Sequence, residues 1–172
     1  FREMKKAIGI LILGLLWSSA SFAVGNCNQT PTGDIDDTKY NCDTDDIFDN
    51  TGGTHEIIHT SDTVITTSGA DKVQIKNSGT IQSTEAESPA INGNGSTNLT
   101  ITNNSNAHIK SVIKTININS GTNAEITNEG NITSTGAETI KANGAGLKIT
   151  NSGTISGKSS GIKIESNAIN AI

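Results

Sequence analysis

Aromatic side chains make up only 3% of the 172 residues. That scarcity excludes a ring-lined sugar cleft and a stacking platform for nucleobases. Cationic residues are few as well: Lys and Arg total 12 against 17 Asp and Glu, and the sole Arg is Arg2. Without a cationic groove, nucleic-acid binding is excluded too. Apolar runs are short. The longest, Ala7 to Trp17, is about half the ~20 residues a membrane span needs. Helices are not expected, because Gly, Asn, Ser and Thr dominate and apolar residues alternate with polar ones.

The N-terminus reads as a secretory signal over residues 1–23. Lys5 and Lys6 follow Met4, the apolar run comes next, and Ser21-Phe22-Ala23 gives the small-x-small pattern cut by a signal peptidase. Phe1, Arg2 and Glu3 lie upstream of the start. Lipid attachment at Cys27 is set aside because Asn26, not a small residue, precedes it. Cleavage after Ala23 removes Arg2, Glu3, Lys5 and Lys6, a net +2, and takes the formal charge from −5 to −7. Export implies an oxidising compartment, so Cys27 and Cys42 are expected to form a disulfide. Its worth would be roughly 3 kcal/mol. Two free thiols stay open as an alternative. A metal site does not fit, since two thiols without a nearby His are too few ligands.

What the chain does have is a repeated phrase. It reads Val73-Gln-Ile-Lys-Asn-Ser-Gly-Thr-Ile81, Leu99-Thr-Ile-Thr-Asn-Asn-Ser-Asn-Ala-His-Ile109, Ala124-Glu-Ile-Thr-Asn-Glu-Gly-Asn-Ile132 and Leu147-Lys-Ile-Thr-Asn-Ser-Gly-Thr-Ile155. The central Asn recurs at Asn77, Asn103, Asn128 and Asn151, in steps of 26, 25 and 23 residues. Such a period, rich in β-branched and turn residues, indicates stacked β coils. Period two places Val73 and Ile75, Leu99 and Ile101, Leu147 and Ile149 on one strand face. With Ile81, Ile126, Ile132 and Ile155 they form the expected core. Ile91, Ile113, Ile140 and Ile162 are expected to point inward from a third side. A single coil of ~24 residues offers about five inward aliphatics at ~1.5–3 kcal/mol each. Ordering it costs ~1.5 kcal/mol per residue. One coil alone therefore loses, and only stacking can stabilise it.

The Asn side chains are expected to hydrogen-bond from coil to coil as a ladder. Gly79, Gly130 and Gly153 are expected to supply positive φ in the turns. The second copy lacks that Gly and should turn more widely, with two inserted residues.

Together, the signal, the short Cys-bearing head and the phrase Ile149-Thr-Asn-Ser-Gly-Thr-Ile155 resemble the N-terminal part of autotransporter passenger domains. The similarity covers about residues 63–172 plus the signal. It implies a β-helical passenger that crosses the outer membrane through a C-terminal barrel and stays at the cell surface. No barrel strands are present here, so the resemblance also implies a missing continuation with more coils.

Catalytic patterns are weak. His55-Glu-Ile-Ile-His59 matches the zinc-protease phrase, which needs a helix to bring both imidazoles to one metal. The surroundings read as strand, where the two His would lie ~13 Å apart. The carboxylates Asp34, Asp36, Asp37, Asp43, Asp45, Asp46 and Asp49 suggest Ca²⁺, but the spacing lacks the Gly and Glu of an EF-hand loop. A solvated acidic cap is the plainer reading. Glu85, Glu87, Glu125, Glu129, Glu138 and Glu165 are scattered in phase, with no pair recurring at coil spacing beside a Lys. Thr100 and Thr102 fit an ice-binding array once, but Lys76 and Lys148 interrupt it.

The expectation is therefore an all-β, right-handed parallel β-helix of about four to five coils. Residues 1–23 are signal, 24–54 an irregular Asp-rich cap, and 55–172 the repeats, truncated at the C-terminus. The expected role is structural and adhesive display at the cell surface or outside it, with contacts from loops such as 91–98 and 133–146. Partners would be host or neighbouring cell-surface molecules, or further copies of the chain. No catalytic residue, cofactor or metal is expected. The rival readings are a secreted β-helix enzyme acting on polysaccharide and an extracellular binding solenoid without a barrel.

Overall fold

The computed structural model describes residues 24–28 and 30–165. The expected signal segment lies outside them. Eighteen short strands and no helix make up the described chain. After β1 (Val24–Asn26), the strands come in triplets, one triplet per coil. The first coil is β2 (Ile35–Asp36), β3 (Lys39–Asn41) and β4 (Ile47–Asn50). The second is β5 (Glu56–His59), β6 (Ile65–Thr66) and β7 (Gln74–Asn77). The third is β8 (Thr80–Ser83), β9 (Ile91–Asn92) and β10 (Thr100–Asn103). The fourth is β11 (His108–Ser111), β12 (Ile116–Ile118) and β13 (Glu125–Asn128). The fifth is β14 (Asn131–Ser134), β15 (Glu138–Ala142) and β16 (Lys148–Asn151). Two strands follow, β17 (Thr154–Gly157) and β18 (Ser160–Ile164).

Each strand pairs in parallel with its counterpart in the next coil. Three sheets result, of seven, five and six strands, so the fold is a parallel β-solenoid of about five coils. Register holds the inward residues in columns. In the five-stranded sheet Phe48, Ile75, Ile101, Ile126 and Ile149 stack. In the six-stranded sheet Ile35, Ile57, Ile81, Ile109, Ile132 and Ile155 do the same. The seven-stranded sheet stacks Tyr40, Ile65, Ile91, Ile116, Ile140 and Ile162. A β-branched side chain suits such a column because it packs well on a pleated surface.

Of the expected core, Val73, Ile75, Ile81, Leu99, Ile101, Ile126, Ile132 and Leu147 are buried. Ile149 and Ile155 are only partly buried, because they belong to the last coil and nothing described stacks beyond them.

Two expectations change. The third-side residue of the fourth coil is Ile116, which pairs with both Ile91 and Ile140. Ile113 lies in the preceding turn and is half-buried. The sheets also reach into the Asp-rich segment: β2, β3 and β4 are regular members of all three. Tyr40 and Phe48 fill the core there, with ring centroids 4.8 Å apart in an edge-on contact. The wider second-copy turn is present. Four residues separate β10 from β11, against two between β7 and β8. Asn106 takes a left-handed φ of 66° within it.

Candidate functional site

The repeated Asn forms one continuous column, buried from Asn50 to Asn128 and exposed at Asn151. Asn77, Asn103, Asn128 and Asn151 are joined in register, and Asn50 adds a fifth member at the start. Each Nδ2 donates to the Oδ1 of the next coil: Asn50 to Asn77 at 2.9 Å, Asn77 to Asn103 at 2.9 Å, Asn103 to Asn128 at 2.8 Å, Asn128 to Asn151 at 2.7 Å. The second N–H goes to a carbonyl in the local turn, such as Gly79 or Gly130. Asn is the residue that can do this, since its amide carries both a donor and an acceptor. Asn50 was hidden in the sequence because Phe, not Ile, stands two residues before it among aspartates. The signal that finds it is position: it precedes Asn77 by 27 residues.

The turn glycines act differently from expectation. Gly79, Gly130 and Gly153 do not take positive φ. A Cβ on any of them would run into a backbone carbonyl of the preceding coil: His55, Ala107 or Gly130 respectively. They are glycine because the coils approach too closely for a side chain.

Left-handed residues sit instead two residues before the first residue of each strand of the five-stranded sheet. Asp45, Lys72, Asn98 and Asn123 have φ of 66°, 56°, 53° and 53°, and Gly146 has 72°. Asn98 Nδ2 bonds Asp71 Oδ1 at 2.7 Å, forming a second, exposed ladder. The Asp71 carboxyl is held below its ordinary pKa by hydrogen bonds from Thr97 and Asn98.

Cys27 and Cys42 are joined by a disulfide that closes a 15-residue separation, with Cα atoms 5.0 Å apart. Both are buried at the head of the stack.

In β5 Glu56 faces outward and His59 inward, so the zinc-protease phrase is split across two faces of a strand. His59 is 2% exposed, and its Nδ1 accepts the Ser61 N–H at 3.3 Å. The aspartates serve the backbone. Asp34 accepts the Glu56 N–H and Asp37 the Thr60 N–H, each at 2.8 Å. Asp46 accepts the Asp43 N–H at 2.8 Å and Asp49 the Thr51 N–H at 2.9 Å. Hydrogen bonds from the Thr60 hydroxyl and amide hold the Asp37 carboxyl below its ordinary pKa. Among the described residues no three His, Cys, Asp or Glu side chains gather as a metal site.

Lys–Glu ion pairs join adjacent coils. Lys141 meets Glu165 at 2.9 Å, Lys148 meets Glu125 at 3.7 Å, and Lys163 meets Glu138 at 4.0 Å. Exposed pairs of this kind contribute at most about 1 kcal/mol each. On the outer face Thr102, Thr127 and Thr150 form a column, but Lys76 and Asp49 end it. The segments expected as contact loops are largely stacked structure. Ile91–Asn92 is β9, Thr97 bridges Asp71 and Thr122, and residues 138–142 are β15.

The ladder asparagines and the Asp34 and Asp37 carboxylates are thus engaged by neighbouring coils. Compared with protein-family models, with curated proteins and with solved structures, the chain matches none.

Proposed function

We propose that the chain is an exported, surface-displayed β-solenoid with a structural and adhesive role, in contact with other cells or surfaces. The observation that carries the reading is the Cys27–Cys42 disulfide buried in the first coil. A structural disulfide persists outside the reducing cytosol, so it supports export. Export in turn agrees with the basic, apolar and small-residue order of the first 23 residues. Stacked coils that bond only to their neighbours make a stiff rod, and a rod holds its lateral surface away from its anchor. Attachment through a C-terminal barrel, as in autotransporters, is part of the same proposal. The role is non-enzymatic and uses no cofactor.

Protease shaving of intact producing cells tests the reading. Peptides from the repeats should be released into the medium, with Cys27 and Cys42 linked in one fragment. Recovery of the chain only after lysis, with both thiols free, would sink it.

A further inference from the structure

At the corner between the six-stranded and seven-stranded sheets, the coils turn through connections of unequal length. Four residues join β11 to β12 and three join β14 to β15, but seven join β8 to β9. The long connection, residues 84–90, is anchored at both ends. The Thr84 N–H bonds the His59 carbonyl at 2.9 Å, and the Ala90 carbonyl accepts the Ile65 N–H at 3.1 Å. Between these anchors, among the described residues, the backbone from Glu85 to Pro89 makes no hydrogen bond. Glu85 and Glu87 have no cationic partner among them either. Thr84, Ala86 and Glu87 are exposed.

An endoprotease binds several residues of its substrate as extended backbone, and the groups it takes must be free of other partners. Paired strands fail that requirement, whereas exposed connections of small and polar residues meet it. Thr84-Glu-Ala-Glu-Ser-Pro89 is such a segment, and both of its charged side chains are carboxylates. The other described glutamates are held in the stack. Glu56, Glu125 and Glu138 begin the paired strands β5, β13 and β15. The Glu129 N–H bonds the Asn103 carbonyl at 2.8 Å, and the Glu165 N–H bonds the Ala142 carbonyl at 2.9 Å.

We propose that residues 84–89 are a cleavage site for an endoprotease whose primary pocket accepts a glutamate carboxylate, and that the cut chain persists as one solenoid of two fragments. Water adds across the Glu85–Ala86 or Glu87–Ser88 peptide bond, leaving a carboxylate on one fragment and an amine on the other. The cut crosses no strand. β8 stays paired with β11, β9 with β6 and β10 with β7. The Asn77–Asn103 bond of 2.9 Å and the Thr67–Ser96 hydroxyl contact of 2.8 Å also span the two fragments. Contacts between neighbouring coils, more than chain continuity, hold a solenoid together. Cys27 and Cys42 both fall in the first fragment, so their disulfide does not link the two. The site needs only the folded coils and does not depend on display at a surface.

Limited digestion of the full chain, as its cells produce it, with a glutamyl endopeptidase tests the proposal. The first new N-terminus should be Ala86 or Ser88, ahead of any cut at Glu56, Glu125, Glu129 or Glu138. The two fragments should separate on a denaturing gel, yet leave a native size-exclusion column together at the volume of the uncut chain. The double variant E85Q/E87Q, shown to be folded by far-UV circular dichroism, should survive the same digestion intact. A first cut elsewhere overturns the proposal. Fragments that elute apart, or an E85Q/E87Q chain cut as fast as the unaltered one, overturn it equally.

Discussion

Asn77 donates its Nδ2 to Asn103 Oδ1 across 2.9 Å, in the interior of the stack, while its second N–H serves the Gly79 carbonyl at 3.0 Å. One side chain thereby ties two coils together and closes its own turn. Because all the ladder amides donate in the same direction, removing Asn103 strands the Asn128 Oδ1, while the Asn77 Nδ2 keeps the Gly79 and His108 carbonyls.

Replacing Asn103 with Ala should therefore cost about 1–3 kcal/mol, from the buried Asn128 Oδ1 left without its donor. Asn104, its neighbour, only reaches the Ser78 hydroxyl and is half-buried. Asn104→Ala should stay within about 0.5 kcal/mol. Urea unfolding of the two variants side by side measures the difference.

Glycine substitutions should separate by contact. Gly130→Ala drives a methyl into the Ala107 carbonyl and should destabilise by about 1–3 kcal/mol. Gly33 has nothing within 4 Å of where a Cβ would sit. Gly33→Ala should be neutral or stabilising by up to about 1 kcal/mol through the unfolded chain. Thermal melts report the sign of each.

Reduction of Cys27–Cys42 should lower stability by about 3 kcal/mol, the loop-closure value for a 15-residue separation. The loss should appear in melts run with and without a thiol reductant. Cys27→Ser, in the absence of reductant, should reproduce it.

Acid should weaken the first coils. Asp37 and Asp71 are lowered by hydrogen bonds; at Asp62 burial opposes the shift but bonds from Lys39 and Thr63 outweigh it. A carboxyl depressed in the folded state contributes stability above its unfolded value of about 3.9. That contribution disappears as pH falls through the lower folded value. Unfolding midpoints should hold down to about pH 5 and decline below pH 4. The double variant D37N/D71N should decline less steeply, because it keeps acceptor oxygens and has fewer carboxyls to protonate.

Much of the architecture was legible in the sequence because the stack repeats its chemistry as well as its spacing. Ile-x-Asn marks inward aliphatic and ladder amide together, so Ile75 and Asn77 announce a strand and its partner coil. Where the chemistry changed, the pattern failed. Phe48 and Asn50 play the same parts as Ile75 and Asn77, but a run of carboxylates around them looks like a solvated cap. Those carboxylates accept backbone amides at the first edge, a use that composition does not reveal. Ile113 and Ile116 are three residues apart and both aliphatic, and only strand register chooses between them. The need for Gly79 also lies in the distance between coils, which no single coil contains.

Side-chain amide hydrogen exchange, followed by NMR, tests the ladder most directly. The account predicts slow exchange for the Nδ2 protons of Asn50, Asn77, Asn103 and Asn128, which each bond to the next coil. Asn151 should exchange much faster, since it is exposed and its Nδ2 donates only within its own turn. Rapid exchange at all five, at the rate of surface asparagines, would contradict a continuous ladder and the stacked coils that it joins.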